Sequence, residues 1–451
     1  MTITTLMIII FVLGYIAIAF EHPLKIDKAA SALAIGGLTW ALFSFVNDQS
    51  LLEFKNFISD FDKDKGWHDF VKHEIHHHII HISEILFFLL GAMTIVELID
   101  AHEGFAIITD KIKTTKKVKL MWILCTITFF FSAALDNLTT AIVMATLIGK
   151  MIKDKEDKWL FAGMIILSAN AGGAWSPIGD VTTIMLWIGG QVTASNIITS
   201  IFIPSVVCAV VPLIYLSFRL KGNITRIDIN LQEHKQNPTT SFERNLIFYL
   251  GVSGLLFVPV FKIVTHLPPY IGMLLSLGVL WITTEIIHRS KNHEEKSKLS
   301  VISVLKKIDT PTIFFFLGIL LAVSALQSAG QLKIVAEYLE STFNGDIYII
   351  NIIIGLLSSI VDNVPLVAGA MGMYQIGPVT EGVLAFPVDH TFWEFLAYCA
   401  GTGGSVLVIG SAAGVAVMGI LKIDFIWYIK NISILALMGY IAGALTYILV
   451  Q

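Results

Sequence analysis

Two stretches decide how this chain is read: Ser132-Ala-Ala-Leu-Asp136-Asn137-Leu-Thr139-Thr140 and Ser358-Ser-Ile-Val-Asp362-Asn363-Val-Pro365. Each Asp-Asn pair interrupts a long apolar run, where an ionised carboxylate costs several kcal/mol unless something compensates it. Polar interruptions at corresponding places in two halves of a chain point to the binding site of a secondary transporter.

The composition is that of a membrane protein. Of 451 residues, 55% are hydrophobic and 14% charged, with a mean hydropathy of +0.77. The charges cluster and leave apolar runs long enough to span a hydrocarbon core of about 30 Å. A net charge of −4 argues against a nucleic-acid partner and leaves the lipid bilayer as the partner to expect. Cys125, Cys208 and Cys399 lie in apolar segments at unrelated spacings, so they read as small core residues, not disulfides or metal ligands. Ala17-Ile-Ala19 resembles a signal-peptidase site, but no Lys or Arg precedes the apolar stretch from Leu6 to Phe20. That stretch is expected to be a first, uncleaved membrane helix.

Lysine and arginine place the loops. The loops 110–119, 150–158, 219–244 and 288–307 are rich in them and are expected in the cytoplasm; those near 190–195, 265–270 and 373–390 have none and face outward. Lysine-rich loops flank 118–150 on both sides, so this segment enters and leaves from the cytoplasm, with Asp136 near its centre. The segment 346–374, with Asp362 near its middle, has flanks almost free of positive charge and enters from outside. The two re-entrant hairpins are therefore inverted relative to each other. Ten crossings complete the chain, near 4–21, 29–46, 82–99, 159–190, 196–218, 246–264, 270–288, 311–329, 391–420 and 430–450, with both termini outside.

A second match follows each hairpin. Ala169-Asn170-Ala171-Gly172-Gly173-Ala-Trp-Ser176-Pro177-Ile178-Gly179-Asp180 corresponds to Ala400-Gly401-Thr402-Gly403-Gly404-Ser405-Val-Leu-Val-Ile409-Gly410-Ser411. Paired glycines and a proline weaken a helix, so 159–190 and 391–420 should each break at mid-membrane. Irregular backbone survives there only inside protein or beside a wet cavity. The expected fold is an all-α polytopic membrane protein of inverted repeats, each with a re-entrant helical hairpin and a broken transmembrane helix. Residues 1–81 comprise the first scaffold helices and an exterior connection (47–81). Residues 82–219 form the first transport repeat, 220–243 a cytoplasmic linker and 244–288 the second scaffold helices. A cytoplasmic loop (289–310) then leads into the second transport repeat, 311–451.

The candidate transport site gathers Asp136, Asn137, Asn170, Asp180, Thr182 and Thr183 from the first repeat, and Ser358, Asp362, Asn363, Thr402 and Ser405 from the second. These are hard oxygen donors, suited to an alkali cation, and no organic cofactor is implied. Each carboxylate has a plainer reading as an N-cap, and each hydroxyl as an interhelical hydrogen bond. Ser411 stands where the first repeat has Asp180, so the halves are chemically unequal. No Lys or Arg occurs between Trp159 and Arg219 to hold an anion. Glu84 and Glu97, in the third span, are candidates for a proton pathway, with His102 a possible partner of Glu97; Glu285 reads as interfacial. His73-Glu74-Ile75-His76-His77-His78-Ile-Ile-His81 puts residues 73, 77 and 81 on one helical face. It reads first as a wet amphipathic surface helix, then as a pH sensor, then as an adventitious metal site.

These motifs, with Ser83-Glu84-Ile-Leu-Phe-Phe-Leu-Leu-Gly-Ala-Met-Thr94-Ile-Val-Glu97, resemble those of the NhaD-type sodium/proton antiporters of the ion transporter superfamily. The resemblance extends over nearly the whole chain. It implies a sodium or lithium exporter of the bacterial inner membrane, driven by inward proton flow. It also implies a homodimer, and a transport domain that moves elevator-like against a scaffold. Burial disfavours the charged form of a carboxylate and a bound cation favours it, so protons and Na⁺ would compete for Asp136 and Asp180, with Asp362 a further ion or proton site. Two rival readings are a dicarboxylate, citrate or oxyanion carrier of the same superfamily, and an intramembrane aspartyl protease using Asp136 and Asp362 as its dyad.

Overall fold

Apolar runs with polar caps dictate a nearly all-helical chain. The computed structural model describes residues 2–451 except 20, 49–50, 52–53, 56, 59–65, 110–111, 226–238, 290, 293–295, 297, 379–383 and 408–409. Helices α1 (Ile3–Ala19), α2 (Lys28–Phe43) and α3 (Trp67–Ala101) lead into α4 (Lys117–Leu135) and α5 (Asn137–Met151), which meet at Asp136. Next come α6 (Lys155–Ala174), α7 (Val181–Ile188) and α8 (Ala194–Arg219). Past the linker lie α9 (Ser241–Thr265), α10 (Pro269–Ile287), α11 (Thr310–Ser328) and α12 (Gln331–Phe343). The chain closes with α13 (Ile347–Leu357), α14 (Asn363–Met373), α15 (Thr391–Gly403), α16 (Ala412–Leu421) and α17 (Ile434–Val450). Among the described residues, seven helices are long and apolar enough to cross a membrane.

Caps and breakers set these boundaries. Asp154 accepts from the Asp157 amide at the start of α6, and Thr240 with Glu243 forms a reciprocal capping box on α9. The expected breaks fall at 175–180, between α6 and α7, and at 404–411, between α15 and α16. Gly172 and Gly403 permit close crossings: a Cβ on Gly172 would overlap the Phe129 carbonyl oxygen, and one on Gly403 the Gly355 carbonyl oxygen.

Helix packing falls into two groups, which meet where α11 packs on α14. In one, α2 packs on α1 and α11, α10 packs on α9 and α3, and α3 meets α11. In the other, α4 lies on α6 and α13 on α15, while α6 and α15 cross. There α5 packs on α16, α7 on α14, and α8 runs along α17. Large apolar side chains such as Leu13 on α1, Val264 on α9, Ile282 on α10 and Leu449 on α17 remain exposed, which suits surfaces that face lipid.

Three features depart from the sequence reading. The third span begins at Trp67, so the histidine-rich segment is part of α3 and not a separate surface helix. Trp67 anchors that end by donating its indole N–H to the carbonyls of Phe43 and Ser44 (3.3 and 3.1 Å). Residues 331–343 form the amphipathic α12, and the loop before α15 carries a short parallel pairing of β1 (Gln375–Ile376) with β2 (Ala385–Phe386). Part of the expected connection 47–81 and much of the linker 220–243 lie outside the described residues. The linker's start pairs with the loop before α4, through Ile224 N–H to Thr115 O at 2.8 Å.

Candidate ion-binding site

The site forms where four helix beginnings and both breaks come together. Asp136 caps α5, accepting from the Thr139 amide (2.9 Å) and hydroxyl (2.8 Å), with φ at +79°. This left-handed backbone turns the chain sharply between α4 and α5. Asp180 caps α7, accepting from the Thr182 amide and hydroxyl at 2.8 Å each, while the Thr183 hydroxyl donates to the Asp180 carbonyl at 2.8 Å. Asp362 caps α14, accepting from the Val364 amide at 3.1 Å. At the start of α16 the cap is Ser411, with no carboxylate.

Asp180 is the hub. It is 1% exposed, and its carboxylate accepts from Asn137 Nδ2 and, at 3.3 Å, from Asn363 Nδ2. The two Asp-Asn motifs thus meet on one carboxylate, each through its asparagine. Asn137 also donates to Asn170 Oδ1 (3.1 Å). Asn170 Nδ2 reaches across to the Ser405 and Ser411 hydroxyls at 2.8 and 2.9 Å. One buried polar network therefore joins both halves.

Beside it lies a cavity of about 40 Å³ with Asp136, Asn137, Thr139, Asp180, Asp362 and Asn363 on its wall. Such a volume holds a water-sized particle. Leu89 and Met93 of α3 and Thr312 and Phe316 of α11 close the other side. Sequence reading missed these four, because nothing local marks a helix that becomes a neighbour only after folding. Among the described residues, no three His, Cys, Asp or Glu side chains are grouped as a metal cage. The three aspartates share a cavity without converging on one point, and His73, His77 and His81 form no metal site either.

Some candidates serve the backbone. The Ser358 hydroxyl donates to Ala400 O (2.9 Å), as Ser132 does to Ala169 O (2.5 Å). The Thr402 hydroxyl donates to Tyr398 O within its own helix (2.6 Å). Glu84 and Glu97 stand away from the cavity. Glu84 is within electrostatic reach of Lys262, and Glu97 of Asp100 and Lys307. The pairing of Glu97 with His102 does not form. His102 Nδ1 bonds to Leu98 O (2.7 Å), and its Nε2 lies 3.3 Å from Nε2 of the buried His288. Burial lowers the pKa of both rings, with neighbouring His102 adding to the effect on His288, which falls to about 4. This pair is therefore a neutral contact near pH 7. A further buried acid escaped the sequence reading: Glu394 of α15, held by Asn196, by the Tyr447 hydroxyl (2.6 Å) and by Gln451 (3.3 Å).

Comparison with known proteins points to a family of transporters. Residues 1–392 match the citrate transporter family CitMHS. "Sodium/proton antiporter 1" of Arabidopsis thaliana is 44% identical over 99% of this chain and 72% of its own length. "Sodium/proton antiporter 2" of the same plant is 40% identical over 99% of both chains. The "Na(+)/H(+) antiporter NhaD" of Vibrio cholerae is 28% identical over 98% of this chain and 91% of its own.

Proposed function

The chain belongs to the citrate transporter family CitMHS, among its NhaD-type sodium/proton antiporters, and we propose that it exports Na⁺ or Li⁺ against protons at the Asp180 site by alternating access. It is a multi-pass membrane carrier and not an enzyme. The observation that carries the site assignment is the buried Asp180 carboxylate, held by an asparagine from each half beside a water-sized cavity that Asp136 and Asp362 also line. In that setting Na⁺ and H⁺ are mutually exclusive means of neutralising a carboxylate. Asp136 and Asp180 carry the competition, and Asp362 is a further ion or proton site. Glu84 and Glu97 are proposed to belong to the proton pathway.

The halves are proposed to be inverted repeats with re-entrant hairpins. Matched details support this: Ser132 with Ser358, Gly172 with Gly403, and α5 on α16 with α7 on α14. The helices that pack around α3 and α11 would be the scaffold, and the broken helices with their hairpins the moving, elevator-like part of a homodimer. Both termini are assigned to the outside of a bacterial inner membrane. The family description favours one other cargo, a carboxylate anion. Helix N-termini could bind an anion, but those of α5, α7 and α14 are already occupied by aspartate carboxylates. An anion there would meet three acids, and no Lys or Arg is among the described residues that line the cavity, although Lys28 is within electrostatic reach of Asp362.

The test is Na⁺-induced dequenching of a pH dye in inside-out vesicles, comparing wild type with Asp136→Asn and Asp180→Asn. The expected result is a wild-type signal absent from both variants. Exchange that survives in Asp136→Asn would remove that residue from the site, and a wild type silent to Na⁺, Li⁺ and K⁺ would return the anion reading.

A further inference from the structure

A second cavity, about 200 Å³, lies in line with the first. Ile85, Met185, Leu320 and Ala368 line it, while Leu89, Val181, Phe316 and Val364 line the ion-site cavity. On each of α3, α7, α11 and α14 the two linings are four residues apart, about one turn or 5.4 Å of helix. One turn of four helices is thus all that separates the cavities. At its far end the larger cavity is bordered by His77, His78 and His81, of which His77 and His81 are exposed.

His78 is held in a defined state. The Ser328 hydroxyl donates to Glu74 Oε2 at 2.7 Å, so its lone pair is left to accept from His78 Nε2 at 3.1 Å. The neutral ring therefore carries its proton on Nε2 and keeps Nδ1 basic. Once protonated, the ring has a counter-charge in Glu74, 3.7 Å from Nε2. The titratable groups around it are His73, Glu74, His77, His81 and Glu84, all on α3. Facing elements contribute Gln191, Ser324, Gln327 and Ser328, and α2 contributes the Trp40 ring.

We propose that this histidine-bordered cavity is the outer vestibule of the Asp180 site, and that His78 exchanges protons between external water and that site. The proposal rests on the topology and cargo given above. Nδ1 takes a proton from vestibule water, Nε2–H stays bonded to Ser328, and the same proton returns to water on the site side. The N–H bond made and then broken is matched by an O–H bond broken in vestibule water and one made in water on the site side. The histidine-rich segment then has a role that neither a surface helix nor a metal site supplies.

Two measurements on the full-length protein test it. Ser324→Cys should react with a membrane-impermeant methanethiosulfonate added outside, and the modification should slow exchange. The native Cys125, Cys208 and Cys399 are buried and supply the silent background. Reaction only from the inside, or labelling without effect on exchange, overturns the vestibule. His78→Gln should slow exchange several-fold at alkaline external pH, and external imidazole should restore it. A loss that imidazole does not restore overturns the His78 assignment, provided ²²Na⁺ binding is retained. If binding is lost too, Ser328→Ala replaces it and should shift the external-pH profile; an unmoved profile overturns the assignment. Failure of the cargo reading is separate, because wild type would then show no cation exchange while Ser324→Cys labelling still reports the vestibule.

Discussion

At the first crossing Ser132 ties its helix to Ala169 O, and Gly172 lets α6 touch the Phe129 carbonyl. At the second, Ser358 ties to Ala400 O, and Gly403 lets α15 touch the Gly355 carbonyl. The polar contents differ. Beyond the first break stands Asp180, held from both sides; beyond the second stands Ser411, which serves as a partner of Asn170. Likewise Asn137 and Asn363 both turn to Asp180, although each follows an aspartate of its own. Backbone geometry is thus kept twice, while the charge is concentrated in one half. The cavity between them therefore receives unequal charge, from Asp136 and Asp180 of one half and Asp362 of the other.

The largest effect should come from breaking that inequality at its centre. Asp180→Asn removes the only carboxylate that both asparagines reach, and exchange should fall to the vesicle background. Asp362→Asn, at the corresponding hairpin tip, should retain ²²Na⁺ binding and lose only part of the exchange rate. Equal abolition by both variants, with binding lost in each, would mean that the halves contribute equally. Restoring symmetry should also be harmful. Ser411→Asp places a new carboxylate against Asn170, whose Nδ2 already bonds to residue 411 and whose Oδ1 would be pulled from Asn137, the partner of Asp180. Dequenching by Na⁺ should be weaker than in wild type, and gain of function would mean that the inequality of the halves is not needed.

Much of this arrangement could be read from sequence because its signals are local. Glycine pairs, with Pro177 in the first, marked both breaks, and the two Asp-Asn pairs marked two helix starts. Each aspartate caps a helix, as the plainer reading had it, and each also lines the cavity. Partnerships across the fold were not legible. Asn170 looked like a ligand from its own motif and proves to bridge to Ser405 and Ser411. Ser358 and Thr402 looked equally polar, and their hydroxyls are spent on backbone carbonyls. His102 met a histidine from α10 where a neighbouring glutamate was expected, because a residue at a helix end packs against whatever that end reaches. The start of α3 was missed for a related reason: five histidines interrupt the apolar pattern, while the helix itself continues.

Smaller effects test whether the shared backbone is equivalent. Gly172→Ala and Gly403→Ala each force a Cβ into a facing carbonyl, so each should cost about 1–3 kcal/mol or more, as overpacking does. Thermal unfolding in detergent should show comparable drops for the two. A large drop in one and none in the other would mean that only one crossing is tight.

The finest comparison concerns the two serine ties. Ser132→Ala and Ser358→Ala remove one hydroxyl each and leave the Ala169 and Ala400 carbonyls short of a partner, a loss of about 1 kcal/mol per site. Both carbonyls belong to helices that break shortly afterwards, so the ties fix where each break sits relative to its hairpin. The stability losses should therefore match. Function should separate them: Ser132→Ala loosens the side that carries Asn137 and Asp180, and should raise the Na⁺ concentration for half-maximal dequenching more than Ser358→Ala does. Equal shifts would place the ion midway between the halves, and a greater shift for Ser358→Ala would move its centre toward Asp362.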